Sequence, residues 1–380
     1  MLLRRSSLVF RNNYGLFSTV TEPKVKLEEY RTSENDPRNH TTDHIGKFYR
    51  IDEKTKKTVF RYGGITKTYE KQIQTFNEPC VMVRNPAVEI IDYMKNTDFN
   101  KPIVRYVLYG GLGTGKSMSM VHLLHYGYIN GFLLVHIPWL PYWYKHGREY
   151  GDSATQEGMT DIPLKTAAWL MHFKTQNIEL LTKLDLKTSQ DYVWSKRETT
   201  PVGASLIELV DHGINRAKYA TDVIRVLFDE VKLQSNEGKV KTMVAIDGYN
   251  IIFNEKTNFK AQFKVMIPKS KISFTQPFLD ITKPDWCNGV CVLSVDRLAM
   301  FGWERESDLP MYLLGREGFE HLDPFVPVRH EDYDDKEYES CIGYYVDRKW
   351  IQNVGPGFDK ELKYLSNQNP YKLMDLCKSL

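Results

Sequence analysis

The stretch Gly110-Gly111-Leu112-Gly113-Thr114-Gly115-Lys116-Ser117 decides how this chain is read. It fits the pattern G-x-x-x-x-G-K-[ST] in full. An apolar run from Ile103 to Tyr109 precedes it, and a stretch with helical spacing from Lys116 to Ile129 follows. Each residue type has a chemical reason. Glycines let successive backbone N–H groups converge on the α- and β-phosphates of a nucleotide. Lys116 can reach the β- and γ-phosphate oxygens as a point charge, and Ser117 can offer its hydroxyl to Mg²⁺. The helix that begins here aims its positive end at the same anion. Gly110, Gly111, Leu112, Gly113, Thr114, Gly115, Lys116 and Ser117 are therefore expected to bind nucleotide.

Such a loop needs an acid at the end of a neighbouring strand to hold the Mg²⁺ and its water. Val244-Ala245-Ile246-Asp247 supplies one, so Ser117 and Asp247 are the expected metal-side pair. Many ATPase motors place a Glu directly after this acid to polarise the attacking water. Here that position is Gly248, and Glu230 and Glu255 are too far along the chain to replace it by position. The site is expected to hold a nucleotide better than to hydrolyse it. Ser294, in the apolar run Val290–Val295, stands where related ATPases keep a polar sensor of the γ-phosphate. The segment Thr282-Lys283-Pro284-Asp285 matches the guanine-reading [NT]-K-x-D pattern on paper, but it precedes a strand, whereas such a loop follows one. No D-x-x-G follows Asp247, which excludes a Ras-type GTPase. The expected cofactors are GTP or GDP with Mg²⁺, and ATP remains open.

Working outward, Ile103–Tyr109, the glycine loop, Lys116–Ile129 and Phe132–Ile137 read as β–loop–α–β, the unit of a parallel sheet. Met243–Ile246 and Val290–Val295 read as further buried strands, and residues 161–233 read mainly as helix. The first twenty residues contain Arg4, Arg5 and Arg11 and no acid before Glu22, with Leu2, Val9 and Leu16 on one helical side. That is the pattern of a mitochondrial transit peptide. Between Lys47 and Lys71 eight Lys or Arg are interleaved with Phe48, Tyr49, Phe60, Tyr62 and Tyr69. Residues 21–80 are expected to form an extended arm, in which the Lys47–Lys71 stretch is either laid on RNA or protein or is a solvated surface with a short hairpin.

Composition narrows the function classes. With 42% hydrophobic residues among 380, wholesale disorder is excluded. A balance of 51 basic against 48 acidic residues, net +3, excludes binding of polyanions by bulk charge. The five scattered cysteines are no disulfide framework, and Cys287 with Cys291 lacks the second ligand pair that a zinc site needs. No run reaches the roughly 18 apolar residues of a membrane span.

At this point the residues resemble the death-associated protein three family, the P-loop proteins of the mitochondrial small ribosomal subunit. The resemblance runs from about Val81 to Leu380. It is carried by MVRNPAVEIIDYMKNT before the loop, YGGLGTGKSMSM through it, and LLVHIP, YVWSKRETT, VAIDGYN, LLGREGFEHLDPFVPV, YESCIGYYVDRKWIQ and LSNQNP after it. It implies an α/β fold of the AAA+-like P-loop NTPase kind: a parallel sheet with helices on both faces over 81–300, and a helical or mixed C-terminal extension over 301–380. It also implies GTP binding, a link to cell death, and residence in the mitochondrial matrix. The implied partners are small-subunit ribosomal proteins and rRNA, with large-subunit proteins across the subunit interface as further candidates. Two other readings compete: a matrix AAA-type ATPase that assembles as a ring, and a P-loop signalling NTPase of cell death. The missing Glu weighs against the first. The second would be expected to carry an interaction module beside the P-loop domain, and none is evident.

Overall fold

The computed structural model describes residues 30–147, 149–261, 264–302 and 307–378. The targeting segment read over residues 1–20 lies outside them. The chain enters through a short antiparallel pair, β1 (Phe48–Arg50) and β2 (Cys80–Met82), with α1 (Glu53–Val59) and α2 (Lys67–Phe76) between the two strands. Asp52 and Thr66 cap these helices by accepting from the Thr55 and Tyr69 N–H groups. Then come α3 (Asn85–Lys95), β3 (Val104–Tyr109), the glycine loop, α4 (Lys116–Ile129), β4 (Leu133–Ile137) and α5 (Pro141–Lys145). Two small antiparallel pairs, β5 (Gly151–Asp152) with β6 (Thr160–Asp161) and β7 (Tyr192–Ser195) with β8 (Glu198–Thr200), border the long α6 (Pro163–Leu184). The remaining elements are α7 (Leu206–Asn215), α8 (Ala220–Asn236), β9 (Thr242–Ile246), α9 (Thr275–Asp280), β10 (Gly289–Ser294), α10 (Pro310–Leu322) and β11 (Val326–Arg329). The chain closes with α11 (Asp335–Asp347), α12 (Phe358–Ser366) and α13 (Pro370–Cys377).

Five strands pair in parallel in the order β11-β3-β10-β9-β4. Successive strand residues face opposite sides, and both sides are covered. On one face Val107, Val135, Val244 and Leu293 pack with α6, α7 and α8 through Leu170, Phe173, Leu209 and Leu227. On the other, Leu108, Leu134, Ala245 and Val292 pack with α3 and α4 through Val88, Ile91, Val121 and Leu124. That double cover is why the central strands β9 and β10 are buried along their whole length, whereas the edge strand β11 is partly exposed. The architecture is α/β, a parallel sheet with helices on both faces.

The N-terminal segment departs from expectation. It is no extended arm from residue 30 onward: Tyr49, Phe60 and Tyr69 are buried in the α3–α4 face of the core. Phe48 stacks on Tyr344 of α11, with ring centroids 4.2 Å apart. Of the five aromatic residues singled out for base stacking, only Tyr62 is exposed, at 48%. Composition cannot distinguish a ring that packs from one that waits for a partner, and here packing wins. The sheet also takes its fifth strand, β11, from the 301–380 stretch that the sequence division assigned to the extension. α11, α12 and α13 close over the N-terminal layer in a third core with Tyr30, Phe76 and Cys80.

Candidate functional site

The glycine loop leaves β3 at Tyr109 and enters α4 at Lys116, at the carboxyl ends of the strands where open α/β sheets place their ligands. Gly110 has φ +138°, and a Cβ there would lie 2.1 Å from the His330 carbonyl oxygen. His330 closes on the loop by donating its N–H to Tyr109 O at 2.7 Å. At Gly113, φ +77°, a Cβ would lie 2.6 Å from the Tyr371 Cβ. The loop carbonyls are engaged one after another. Lys116 Nζ donates to Gly110 O at 2.8 Å and Gly111 O at 2.7 Å. Asn369 Nδ2 donates to Leu112 O at 2.9 Å, and the Tyr371 N–H to Gly113 O at 3.1 Å. Arg84 Nη1 donates to Thr114 O at 3.1 Å. Each carbonyl from Gly110 to Thr114 thus has a donor.

Arg84 is the hub of that scaffold. Its Nε donates to Glu337 Oε1 at 2.7 Å and its Nη2 to Glu331 O at 2.9 Å, and its guanidinium lies 4.7 Å from the Tyr333 ring centre. Both members of the Arg84–Glu337 pair are buried. Burial pushes the Glu337 carboxyl up, against the pull of Arg84. His330, also buried, pairs through Nε2 with Ser119 Oγ at 2.8 Å, and burial drives it well below the usual histidine range.

In front of the loop the expected pair meets. Ser117 Oγ donates to Asp247 Oδ2 at 2.6 Å. Ser294 donates to the other Asp247 oxygen and accepts the Gly248 N–H at 2.9 Å. Burial raises Asp247 to about 6, while the two serine hydroxyls and the Lys116 charge pull it the other way. Ser294 thus sits under Asp247 and fixes its orientation. Asp296, two residues further on, makes the ion pair with Lys116, Oδ2 to Nζ at 2.9 Å.

Gly113, Gly115, Lys116, Ser117, Asp247 and Asp296 line one cavity of about 910 Å³. Met82, Tyr333, Tyr345, Tyr371 and Met374 line it with apolar and aromatic surface, Arg84 adds a charge, and Trp139, Tyr142 and Lys165 line it as well. That volume and its mixed lining suit a molecule of nucleotide size. A hydroxyl and one carboxylate are a fitting protein share for Mg²⁺, which keeps most of its shell as water and phosphate oxygens. Among the described residues no group of three or more His, Cys, Asp or Glu could hold a metal by itself. No helix among them is long and apolar enough to cross a membrane.

Position 248 is closed to a glutamate. Gly248 has φ +72°, and a Cβ would lie 2.6 Å from Pro141 Cδ and 3.0 Å from Trp139. Glu230 is taken up by Ser189 and Tyr192, and Glu255 lies 3.5 Å from Lys269. Thr282 pairs with Tyr249 and Asp285 with Lys232, both away from the cavity lining. Sequence reasoning missed Arg84, Asp296, His330 and Asn369. The dipeptide Asp296-Arg297 right after an apolar strand was the one local signal available.

The family profile described as mitochondrial ribosomal death-associated protein 3 matches residues 81–376. The chain belongs to this family. It is 40% identical over 353 residues to the small ribosomal subunit protein mS29 of Bos taurus, covering 92% of this chain and 88% of that protein. It is 39% identical to mS29 of Mus musculus over the same length, 89% of that protein. A more distant mS29, from Neurospora crassa, is 24% identical over 173 residues, 46% of this chain and 36% of that protein. Every site residue from Arg84 to Tyr371 falls inside the span matched to the death-associated protein 3 family.

Proposed function

We propose that this chain is a structural, nucleotide-binding component of the mitochondrial small ribosomal subunit, built on an AAA+-like P-loop NTPase fold. The observation that carries the nucleotide part is the Ser117–Asp247 contact of 2.6 Å in front of Lys116. It brings the two expected Mg²⁺-side groups together from positions 130 residues apart. Strand order supports the fold: β10 lies between the loop-bearing β3 and the acid-bearing β9, the arrangement of AAA+-like NTPases. Lys116 would neutralise phosphate charge, the loop N–H groups would bind phosphate oxygens, and Ser117 and Asp247 would orient the metal and its water. Mg²⁺, when bound, neutralises the phosphates.

The nucleotide is GTP or GDP in this reading, with ATP as the competing base. Turnover is slow, because position 248 excludes a water-polarising glutamate. The same exclusion speaks against a ring-forming ATPase. The ribosomal part rests on membership of the family and on relatives named as small-subunit proteins over nine-tenths of this chain. Residence in the mitochondrial matrix, with small-subunit proteins and rRNA as partners, follows from that part. A ligand that binds only the folded chain stabilises it by about 2.7 kcal/mol at a hundredfold excess over Kd, which is reason enough to keep a loop that hardly hydrolyses.

Two measurements test the reading. Labelled GTP should bind the purified chain in Mg²⁺, and Lys116→Ala should weaken it about tenfold or more, the worth of a charge-assisted contact. Equal binding by the variant overturns the nucleotide site. In a high-salt gradient of mitochondrial lysate the protein should run with the small subunit; recovery at the top of the gradient overturns the ribosomal role.

A further inference from the structure

We infer that Asp296 is a selectivity residue that restricts this site to nucleotide complexed with a divalent cation and turns away the metal-free polyanion. The inference rests on the nucleotide reading above. An ammonium has three N–H donors, and those of Lys116 go to Gly110 O, Gly111 O and Asp296 Oδ2. Both partners of the ion pair are nearly out of water, with 4% of the Lys116 side chain and 12% of the Asp296 side chain exposed. A phosphate can take Lys116 only by displacing one of these acceptors.

Asp296 cannot swing aside when that happens. Its backbone is held on both sides by one buried residue: Asn250 Oδ1 accepts the Asp296 N–H at 3.0 Å, and Asn250 Nδ2 donates to Asp296 O at 2.9 Å. Its Oδ1 accepts the Leu298 N–H at 2.7 Å. Once Lys116 turns to phosphate, a fixed carboxylate remains in the cavity wall beside Asp247, facing further negative charge. Like charges at a few ångströms in a poorly solvated site repel strongly. A divalent cation removes the conflict, because it carries positive charge into the space between the carboxylates and the phosphates. The loop and Lys116 attract any phosphate; Asp296 adds the condition that the phosphate arrive with its metal.

The test is the ratio of affinities in Mg²⁺ and in EDTA, measured with fluorescent GTP on the full chain. Asp296→Asn keeps the shape and the Leu298 cap, since asparagine caps as well as aspartate. The expected result is at least a tenfold fall in the Mg²⁺/EDTA ratio, mainly through tighter binding in EDTA. An unchanged ratio, with binding in Mg²⁺ intact, overturns the inference and leaves the nucleotide reading standing. No binding by the wild type in Mg²⁺ overturns both. Should Asp296→Asn fail to fold, the wild type alone decides. In EDTA, GTP should bind no more tightly than GDP, because its extra charge faces Asp296. Tighter GTP binding without metal would overturn the inference.

Discussion

The site around the glycine loop and the N-terminal layer both hold basic and aromatic residues, and they use them in opposite ways. In the layer, the cations from Lys47 to Lys71 all keep contact with solvent while Phe48, Tyr49, Phe60 and Tyr69 are buried. At the loop the cations are the buried groups: Lys116 is 5% and Arg84 6% exposed. A solvated cation holds little and can be exchanged at small cost. A buried one must be matched donor by donor, and it organises whatever matches it. Arg84 joins Thr114 of the loop to Glu331 and Glu337 near the start of α11; Lys54 in the layer pairs with the exposed Glu179.

The strongest way to break this contrast is to remove one cation from each region. Arg84→Met leaves Glu337 buried without its ion-pair partner and frees three carbonyls, those of Thr114, Glu331 and Asp332, so it should cost about 3–5 kcal/mol in urea unfolding. Lys54→Met should stay within about 0.5 kcal/mol of the parent. Comparable losses from the two substitutions would show that burial is not what separates the regions.

The same contrast explains what could be read from the sequence. Four of the five sheet strands, β3, β4, β9 and β10, were legible, because a doubly covered strand imposes apolar residues, and so were the place of the glycine loop between β3 and α4 and that of Asp247 at the end of β9; β11, a half-exposed edge strand, was not. Arg84 and Asn369 were not, since their partners lie 253 and 257 positions away and no local pattern announces them. Asp296 had only an unremarkable strand-end position. Ser294 was legible as a polar residue ending a strand, but not its choice of Asp247 as partner, which depends on β10 lying directly beside β9. The N-terminal segment misled because its basic and aromatic alternation fits an RNA-facing arm as well as a packed layer. Only the tertiary packing decides between them, with the Tyr49 ring set against His40 and against His122 and His125 of α4.

Acid should loosen the layer next. His125 of α4 faces the layer, with its ring stacked 5.7 Å from Tyr49, and burial lowers it to about 4 from an ordinary value of 6.5. Between those values the unfolded chain binds a proton that the folded chain refuses. Stability therefore falls as pH drops through that window and is unaffected by this group above it. At pH 5 the loss from His125 should be about 2 kcal/mol relative to neutral pH. His125→Gln should remove that share of the pH dependence. Identical pH dependence in parent and variant would show that His125 does not link the layer to α4.

The smallest effect concerns the clamp that joins the C-terminal helices to the loop. Asn369 does two things at once. Its Oδ1 accepts the Lys372 N–H and so caps α13, while its Nδ2 donates to Leu112 O and to Asp332. Two substitutions separate these roles. Asn369→Ala removes both and should cost about 1 kcal/mol, the usual worth of a cap. Asn369→Ser keeps a capping oxygen but has no N–H to offer the loop, so its stability should lie between those of the parent and the alanine variant. If the clamp presets the loop for phosphate, the two variants should lose GTP affinity equally, by a fewfold, despite their different stabilities. If affinity instead tracks stability, with serine close to the parent, then the loop is shaped by Arg84, Lys116 and His330 without help from α13. The contrast between a solvated layer and a buried scaffold would then end at the sheet rather than reach the last helix.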